Sequence, residues 1–419
     1  MSPESTAARR LVVVGASLAG LRAVEAARKA GFEGPITLIG AEEHLPYDRP
    51  PLSKSFLDAA DEPSSGTFFR DEATLVEELG VELVLGNPAT GLDTDARTVA
   101  VGEQRIPYDL LVIATGSVPR MIPGSEHLAG VMALRTLDDA LEVRRHLDAG
   151  ARTVVVGAGF IGSEVAATAR KRGLPATIVE ALPTPLVRAT GERMGAAIAS
   201  LHERNGTTLL CGTGVDRLEG EGAVERVVLA DGRVIDADLV VVGIGVRPAT
   251  DWLEGSGVTL DNGVVCDETL WTGVPGVYAA GDVANWFNPV LAERQRMENW
   301  TAAAEQGAAA ARNALDPENA TPYGTVPYFW SDWYDVRIQF VGSPDADEVR
   351  LVEGDPAEGG RWIALYRRGE RLIGALTVNG QTDIMKYRVQ IGRGGSWDDA
   401  LAFAAQRREK RAGAALAEA

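Results

Sequence analysis

A chain of 419 residues with 45% hydrophobic and 24% charged side chains has the composition of an ordinary globular protein and is long enough for about three domains. Its formal net charge of −18 opposes non-specific attraction to nucleic acid or to an anionic membrane. No run approaches the roughly 20 apolar residues that cross a bilayer, and Met1 to Arg10 carries no apolar stretch behind its charges, so the sequence reads as cytoplasmic.

The first predicted elements form a strand, helix, strand unit. Leu11 to Gly15 is an apolar run, Leu18 to Gly31 a helix closed by glycine, and Ile36 to Gly40 the next strand. The turn between the first two reads Gly15-Ala16-Ser17-Leu18-Ala19-Gly20. Glycines there let the backbone bend sharply and approach a pyrophosphate, which then sits on the amides at the helix start. Ser17 stands where such turns carry a middle glycine, and it is small enough to keep that approach open. A ribose-binding carboxylate is expected about 20 residues on, where the chain reads Gly40-Ala41-Glu42-Glu43. Glu42 or its neighbour is therefore the acid. Tyr108 to Gly116 is a further buried strand, and the proline-rich Val118 to Gly124 after it is how a chain leaves one sheet for another.

A second unit starts at Thr153. Its turn is Gly157-Ala158-Gly159-Phe160-Ile161-Gly162, its helix runs from Ile161 to Arg172 before Gly173, and its second strand is Ala176 to Glu180. A carboxylate at Glu180 accepts hydrogen bonds from a ribose 2′-hydroxyl and repels a 2′-phosphate, which favours NADH over NADPH. Arg188 lies close enough to soften that preference. The chain returns through Leu239 to Val246, with Gly243 and Gly245, and then Arg247-Pro248. The expected architecture is α/β: two Rossmann-like dinucleotide-binding domains, one (117–247) inserted in the other (1–116 and 248–324). One chain that holds two dinucleotides can bring their reactive rings together, which points to hydride transfer between a nicotinamide and a flavin.

Gly276 to Ala284 is an apolar strand ending in Gly281-Asp282, and an Asp flanked by glycine and leading into a helix suits a hydrogen bond to a polyol. Aromatic residues cluster from Tyr328 to Tyr334, and alternating patterns at Val336 to Val341 and Trp362 to Tyr366 predict an antiparallel sheet in a third, carboxy-terminal α+β domain (325–419). Phe403 to Ala419 reads as a helix or frayed tail whose charges form a solvated face. Cys211 and Cys266 each sit in an apolar run and read as buried thiols, with no disulfide framework.

Leu45-Pro46-Tyr47-Asp48-Arg49-Pro50-Pro51-Leu52-Ser53-Lys54 is the most specific segment, supported by Asp267 to Leu270, Gly281-Asp282, Glu298-Asn299-Trp300 and Phe329-Trp330-Ser331-Asp332. On these residues the chain, from about 9 to 400, resembles the FAD-dependent ferredoxin reductases of bacterial cytochrome P450 and aromatic-ring dioxygenase systems. The resemblance implies a glutathione-reductase-like fold. It implies FAD bound by Gly15, Ser17, Leu18, Ala19, Gly20, Glu42, Arg49, Lys54, Ala89, Arg135, Gly281, Asp282, Glu298 and Trp300. NADH falls to Gly157, Gly159, Phe160, Ile161, Gly162, Glu180, Arg188, Gly243 and Gly245. The family's ribose acid falls on Ala41 here, so its role passes to Glu42. Lys54 is expected beside flavin N5, paired with Glu164, which reorients as NADH binds; these two are the expected catalytic residues. Trp300 and Trp330 are expected as walls of the isoalloxazine, and no role is drawn for Trp333, where the family carries Gln or Trp.

No Cys occurs from Ala41 to Leu57, where relatives that reduce disulfides or peroxides carry it, and no Cys cluster serves an iron-sulfur centre. Flavin takes a hydride and can release its electrons singly, so the next carrier is external. A [2Fe-2S] ferredoxin fits the family and needs local positive charge on this acidic chain. Arg294, Arg296 and Arg312 are the expected docking residues, Lys410 a weaker one, on a monomer or weak dimer with no metal of its own. Two other functions share the pattern: an NADH oxidase or rubredoxin-type reductase, marked by turnover with oxygen alone, and a redox-sensing protein in the manner of apoptosis-inducing factor, marked by slow flavin reduction.

Overall fold

The computed structural model describes residues 9–58 and 67–418, and these pack as two units. The first comprises residues 9–48, 67–118 and 247–325. Its centre is a five-stranded parallel sheet in the order Val277–Ala279, Leu110–Ile113, Leu11–Val14, Ile36–Ile39, Val81–Val84. All four residues of Leu11–Val14 are buried, as a parallel strand covered on both faces requires. Helix Leu18–Lys29 follows, and Gly31, at φ +84°, turns the chain back.

Against that helix lies Trp300–Leu315, which is rich in alanine. A Cβ on Gly307 would stand 2.1 Å from the carbonyl oxygen of Ala19, so glycine is what lets the two helices touch. Asp282 does not lead into a helix as expected. It sits in a short 3-10 turn, Gly281–Val283, that runs directly into the strand Ala284–Asn288.

The second unit comprises residues 49–58, 119–246 and 326–418. A second five-stranded parallel sheet has the order Thr208–Cys211, Ala176–Glu180, Thr153–Val156, Leu239–Val242, Val131–Met132, with helix Phe160–Lys171 after its central strand. A five-stranded antiparallel sheet follows in the order Tyr328–Trp333, Val336–Gly342, Arg371–Val378, Trp362–Arg368, Glu348–Glu353. The antiparallel sheet shares a core with helices of the parallel one: Ala167, Met194, Ile198 and Leu201 are buried with Trp333, Phe340, Trp362 and Tyr366, and the Tyr366 hydroxyl donates to the Thr190 carbonyl at 2.7 Å.

Residues 49–58 join this unit through carbonyls and a carboxylate. Arg144 donates to the Phe56 carbonyl at 3.2 Å, Arg172 to that of Leu57 at 2.8 Å, and Lys171 pairs with Asp58 at 2.9 Å. The tail is the helix Trp397–Glu418, and its charges are not all a solvated face. Arg407 and Arg411, with Arg361, converge on the fully buried carboxylate of Asp383. A carboxylate out of water needs such partners, and their spacing along a helix gave no hint of a buried anion in another segment. Among the described residues no helix is long and apolar enough to cross a membrane.

His202 is fully buried in this unit. Its Nδ1 lies 2.8 Å from the Tyr334 hydroxyl, its Nε2 3.1 Å from Ser163 Oγ, and its ring stacks on Trp333 at 4.7 Å. Burial pushes its pKa down from 6.5 to about 4. Below pH 6.5 the unfolded chain takes up a proton that the folded chain refuses until about pH 4. The stability is therefore complete above that window and falls as pH drops through it, by up to about 3 kcal/mol at roughly 1.4 kcal/mol per unit. Chemical unfolding across this range should show that loss in the natural chain and a shallower one in His202→Gln. Parallel curves would contradict the assignment.

Candidate functional site

In the first unit the chemistry gathers at the carboxyl ends of the parallel strands. Gly15 has φ +124°, and a Cβ there would stand 2.0 Å from the carbonyl oxygen of Ala114; at Gly20 it would stand 1.9 Å from that of Gly15. Only glycine fits either place. Helix Leu18–Lys29 opens directly from this turn, with no acidic residue in its first turn and no side-chain cap from Ser17. Its first amides therefore face outward with the positive end of the helix dipole, as a phosphate requires.

Asp282 lies after the edge strand Val277–Ala279, and its Oδ2 accepts from Ser117 Oγ at 2.8 Å. Next to it the Gly281 amide donates to Gln306 Oε1 at 2.8 Å. The Gln306 Nε2 on the same side chain is buried without an acceptor. An orphaned buried donor is costly, and a ligand rich in acceptor atoms meets it. Glu42 accepts from the Tyr47 hydroxyl, and the Trp300 indole donates to Asp48 at 2.8 Å. Ala89 opens the small sheet Ala89–Asp93, Thr98–Val101, Gln104–Pro107. A glycine cradle, an orphaned donor and acid acceptors in one unit fit an adenine dinucleotide such as FAD.

The second unit repeats the cradle. Gly157 has φ +102°, and a Cβ on it would stand 2.4 Å from the Gly243 carbonyl oxygen; on Gly162 it would stand 2.6 Å from that of Gly157. Helix Phe160–Lys171 opens from Gly159, again with no acid in its first turn. Glu180 accepts from the Ala158 amide at 2.8 Å and from the Leu182 amide at 2.9 Å, which fixes its carboxylate beside the turn. Phe160 packs on Phe329 with ring centroids 4.6 Å apart, while Ile161 and Arg188 are exposed. Gly245, at φ +96°, offers its carbonyl to the Arg120 amide at 3.0 Å. These residues fit a second dinucleotide.

One turn into that same helix lies Glu164, only 2% exposed. Its Oε2 accepts from Lys54 Nζ at 2.8 Å and from Ser53 Oγ at 2.5 Å. Its Oε1 accepts from Ser331 Oγ and from the Asp332 amide, the latter at 3.4 Å. Lys54, 21% exposed, also donates to the Pro50 carbonyl at 3.2 Å. Thr168, one turn after Glu164, donates to the Ser53 carbonyl at 3.3 Å.

The structure therefore brings together the expected pair and adds Ser53 and Ser331, which the sequence placed only inside longer motifs. The residues expected at FAD divide between the units. Arg49, Lys54 and Arg135 belong to the second, where Arg49 donates to the Arg135 carbonyl at 2.5 Å, and the rest to the first. Gln306 and Trp333 were not anticipated: a buried amide in an alanine-rich helix and one aromatic among many carry no pattern.

Cys211 stands in register with Glu180 in the parallel sheet of the second unit, and Cys266 lies in the first unit. Cys266 is buried in Val264–Cys266 and Cys211 is half-buried at the end of Thr208–Cys211, and burial pushes both pKa values up, away from the reactive thiolate. Two of the three expected docking cations are engaged. Arg294 donates to the carbonyls of Cys266 and Asn285 at 2.7 Å each. Arg296, 11% exposed, pairs with Glu298 at 2.6 Å and donates to the Asp282 carbonyl at 3.0 Å. Arg312 is exposed on helix Trp300–Leu315.

Comparison with known proteins gives these residues a context. Residues 9–307 match the family described as Pyridine nucleotide-disulphide oxidoreductase, and residues 328–410 match Reductase C-terminal. The ferredoxin–NAD(+) reductase component of the anthranilate 1,2-dioxygenase system of Burkholderia cepacia is 37% identical over 386 residues, covering 91% of this chain and 94% of that protein. Rhodocoxin reductase of Rhodococcus erythropolis is 35% identical over 90% of this chain and 88% of its own. A solved structure, the covalent putidaredoxin reductase–putidaredoxin complex, superposes with a TM-score of 0.88 at 30% identity, covering 96% of this chain and 99% of the other.

The first glycine turn leads to a direct prediction. Gly15→Ala forces a side chain against the Ala114 carbonyl, and the purified variant should carry less than about a tenth of the flavin per chain held by the natural protein. Full flavin content, read from visible absorbance against protein, would contradict the cradle.

Proposed function

This chain belongs to the pyridine nucleotide-disulphide oxidoreductase family, and on that premise we propose that it is an NADH:ferredoxin reductase that supplies an oxygenase of the P450 or ring-hydroxylating type. The observation that carries this reading is the pair of glycine turns, each shaped for a pyrophosphate, in a chain whose two cysteines are free and whose segment from Ala41 to Leu57 holds none. With no thiol to relay electrons inward, they leave to an external carrier. Bound FAD supplies acceptance of a hydride and release of its electrons one at a time.

In this proposal the Gly15 turn and the amides of Leu18, Ala19 and Gly20 hold the FAD pyrophosphate, Glu42 the ribose hydroxyls, and Asp282 with Gly281 the polyol chain. Arg49, Arg135, Ala89, Glu298 and Trp300 complete the binding surface, and Trp330 contributes an aromatic face. The second turn, with Gly159, Phe160, Ile161, Gly243 and Gly245, receives NADH. On the family resemblance Lys54 supplies the cation that favours the negative charge arriving with the hydride, and within its own unit it pairs with Glu164. Glu180 accepts from a 2′-hydroxyl and repels a 2′-phosphate, with Arg188 exposed nearby in sequence as the opposing charge.

Docking of a [2Fe-2S] ferredoxin is assigned to Arg312. Arg294 and Arg296 serve it indirectly, because they tie strand Glu293–Arg296 to its surroundings, Arg294 to the carbonyls of Cys266 and Asn285 and Arg296 to that of Asp282. The decisive assay is cytochrome c reduction by NADH at low salt, with and without a P450-system [2Fe-2S] ferredoxin. A large ferredoxin-dependent rate supports the reading, and turnover with oxygen alone, unmoved by ferredoxin, would replace it with an oxidase.

Two substitutions refine it. Arg312→Glu should raise the ferredoxin KM at least about fivefold at low salt, less at high salt, and leave flavin reduction by NADH unchanged. An unchanged KM at low salt would remove Arg312 from the interface. Glu180→Gln keeps the acceptor for the Ala158 amide, gives up the one for the Leu182 amide and removes the charge. The preference for NADH over NADPH in kcat/KM should fall about tenfold, roughly 1.4 kcal/mol, and an unaltered ratio would contradict the role of that charge.

A further inference from the structure

We propose that Trp333 and Ser331 form a positioning relay that locks the Glu164 carboxylate in place, so that, contrary to the reorientation of Glu164 that the resemblance implies, Glu164 is the fixed member of the Lys54–Glu164 pair and Lys54 the one able to follow a ligand. The inference rests on the hydride-transfer reading above and concerns side chains that make no claim on the dinucleotides themselves.

The direction of the relay follows from donor chemistry. An indole Nε1 can only donate, and that of Trp333 donates to Ser331 Oγ at 2.8 Å. With a lone pair so engaged, the Ser331 hydroxyl turns its own hydrogen to Glu164 Oε1. Both residues are fully buried, so water does not compete. The Asp332 amide joins at the same oxygen, while Ser53 and Lys54 meet the other. Turning the carboxylate away breaks four hydrogen bonds from two separate segments. Turning Lys54 away breaks one to Glu164 and one to the Pro50 carbonyl, from a side chain already in part exposed.

Trp333 is fixed in turn. Its ring stacks on His202, whose nitrogens lie within bonding distance of Tyr334 and of Ser163, the residue that precedes Glu164 on the same helix. The circuit Ser163, His202, Trp333, Ser331, Glu164 closes on itself, so the carboxylate is held both through its own backbone and through its side chain.

The test compares the natural flavin-loaded chain with Ser331→Ala and with Trp333→Phe, which keeps the stacked ring and removes the donor. In anaerobic rapid mixing with NADH, both variants should lose roughly ten- to a hundredfold in the limiting rate of flavin reduction, the range expected when a reacting group is misplaced by about an ångström. The apparent Kd for NADH should stay within about twofold. Independently, hydrogen exchange of the Trp333 indole, followed in 15N-tryptophan-labelled protein and assigned by its absence in Trp333→Phe, should quicken at least about tenfold in Ser331→Ala.

A limiting rate within twofold of the natural one in both variants overturns the relay, as does an unchanged indole exchange in Ser331→Ala. If NADH fails to reduce the flavin of the natural chain, the hydride reading falls instead, and the indole exchange still decides whether the lock exists.

Discussion

A carboxylate removed from water costs several kcal/mol unless its oxygens are met by donors, and Glu164 sets that condition for the second unit. Its four donors come from residues 53–54 and 331–332, which are more than 250 positions apart in the chain. The segment with Pro50–Ser53, helix Phe160–Lys171 and strand Tyr328–Trp333 must all be in place before that charge is satisfied. The same helix starts at the second glycine turn. Its first turn carries no acid and its second carries the buried anion, so the glycine turn and the partner of Lys54 share one helix.

Much of the framework was legible in the sequence because it follows from local rules. Strands Leu11–Val14 and Thr153–Val156, their glycine turns and the helices after them stand where apolar runs and glycines put them. Glycine at 15 and 157 answers to carbonyls that a Cβ would strike. The Lys54–Glu164 pair came through family resemblance, since a single lysine and a single glutamate 110 positions apart show no periodicity. The hydroxyls of Ser53 and Ser331 and the indole of Trp333 were silent for a physical reason. A residue whose role is to donate one hydrogen bond to a distant partner leaves no pattern in its own neighbourhood.

The same limit explains the tail and the docking residues. Arg407 and Arg411 look like surface charges on an alanine-rich helix, yet they neutralise Asp383 in the interior. Arg296 resembles a docking cation but is largely covered and bound to Glu298 and a carbonyl. In a chain with 59 acidic and 41 basic residues, a good share of the arginines is committed to internal anions and carbonyl ends. The positive charge left at the surface is correspondingly local, and any association through it weakens with salt.

Two electrons enter as a hydride and leave singly to a protein carrier, and anaerobic stoichiometry tests this: one equivalent of NADH is added to the flavin-loaded chain, followed by a titration with oxidised [2Fe-2S] ferredoxin. NADH should bleach the flavin, and two ferredoxins should be reduced for each NADH as the flavin colour returns. Return of the colour only on admission of oxygen, with ferredoxin left oxidised, would contradict it.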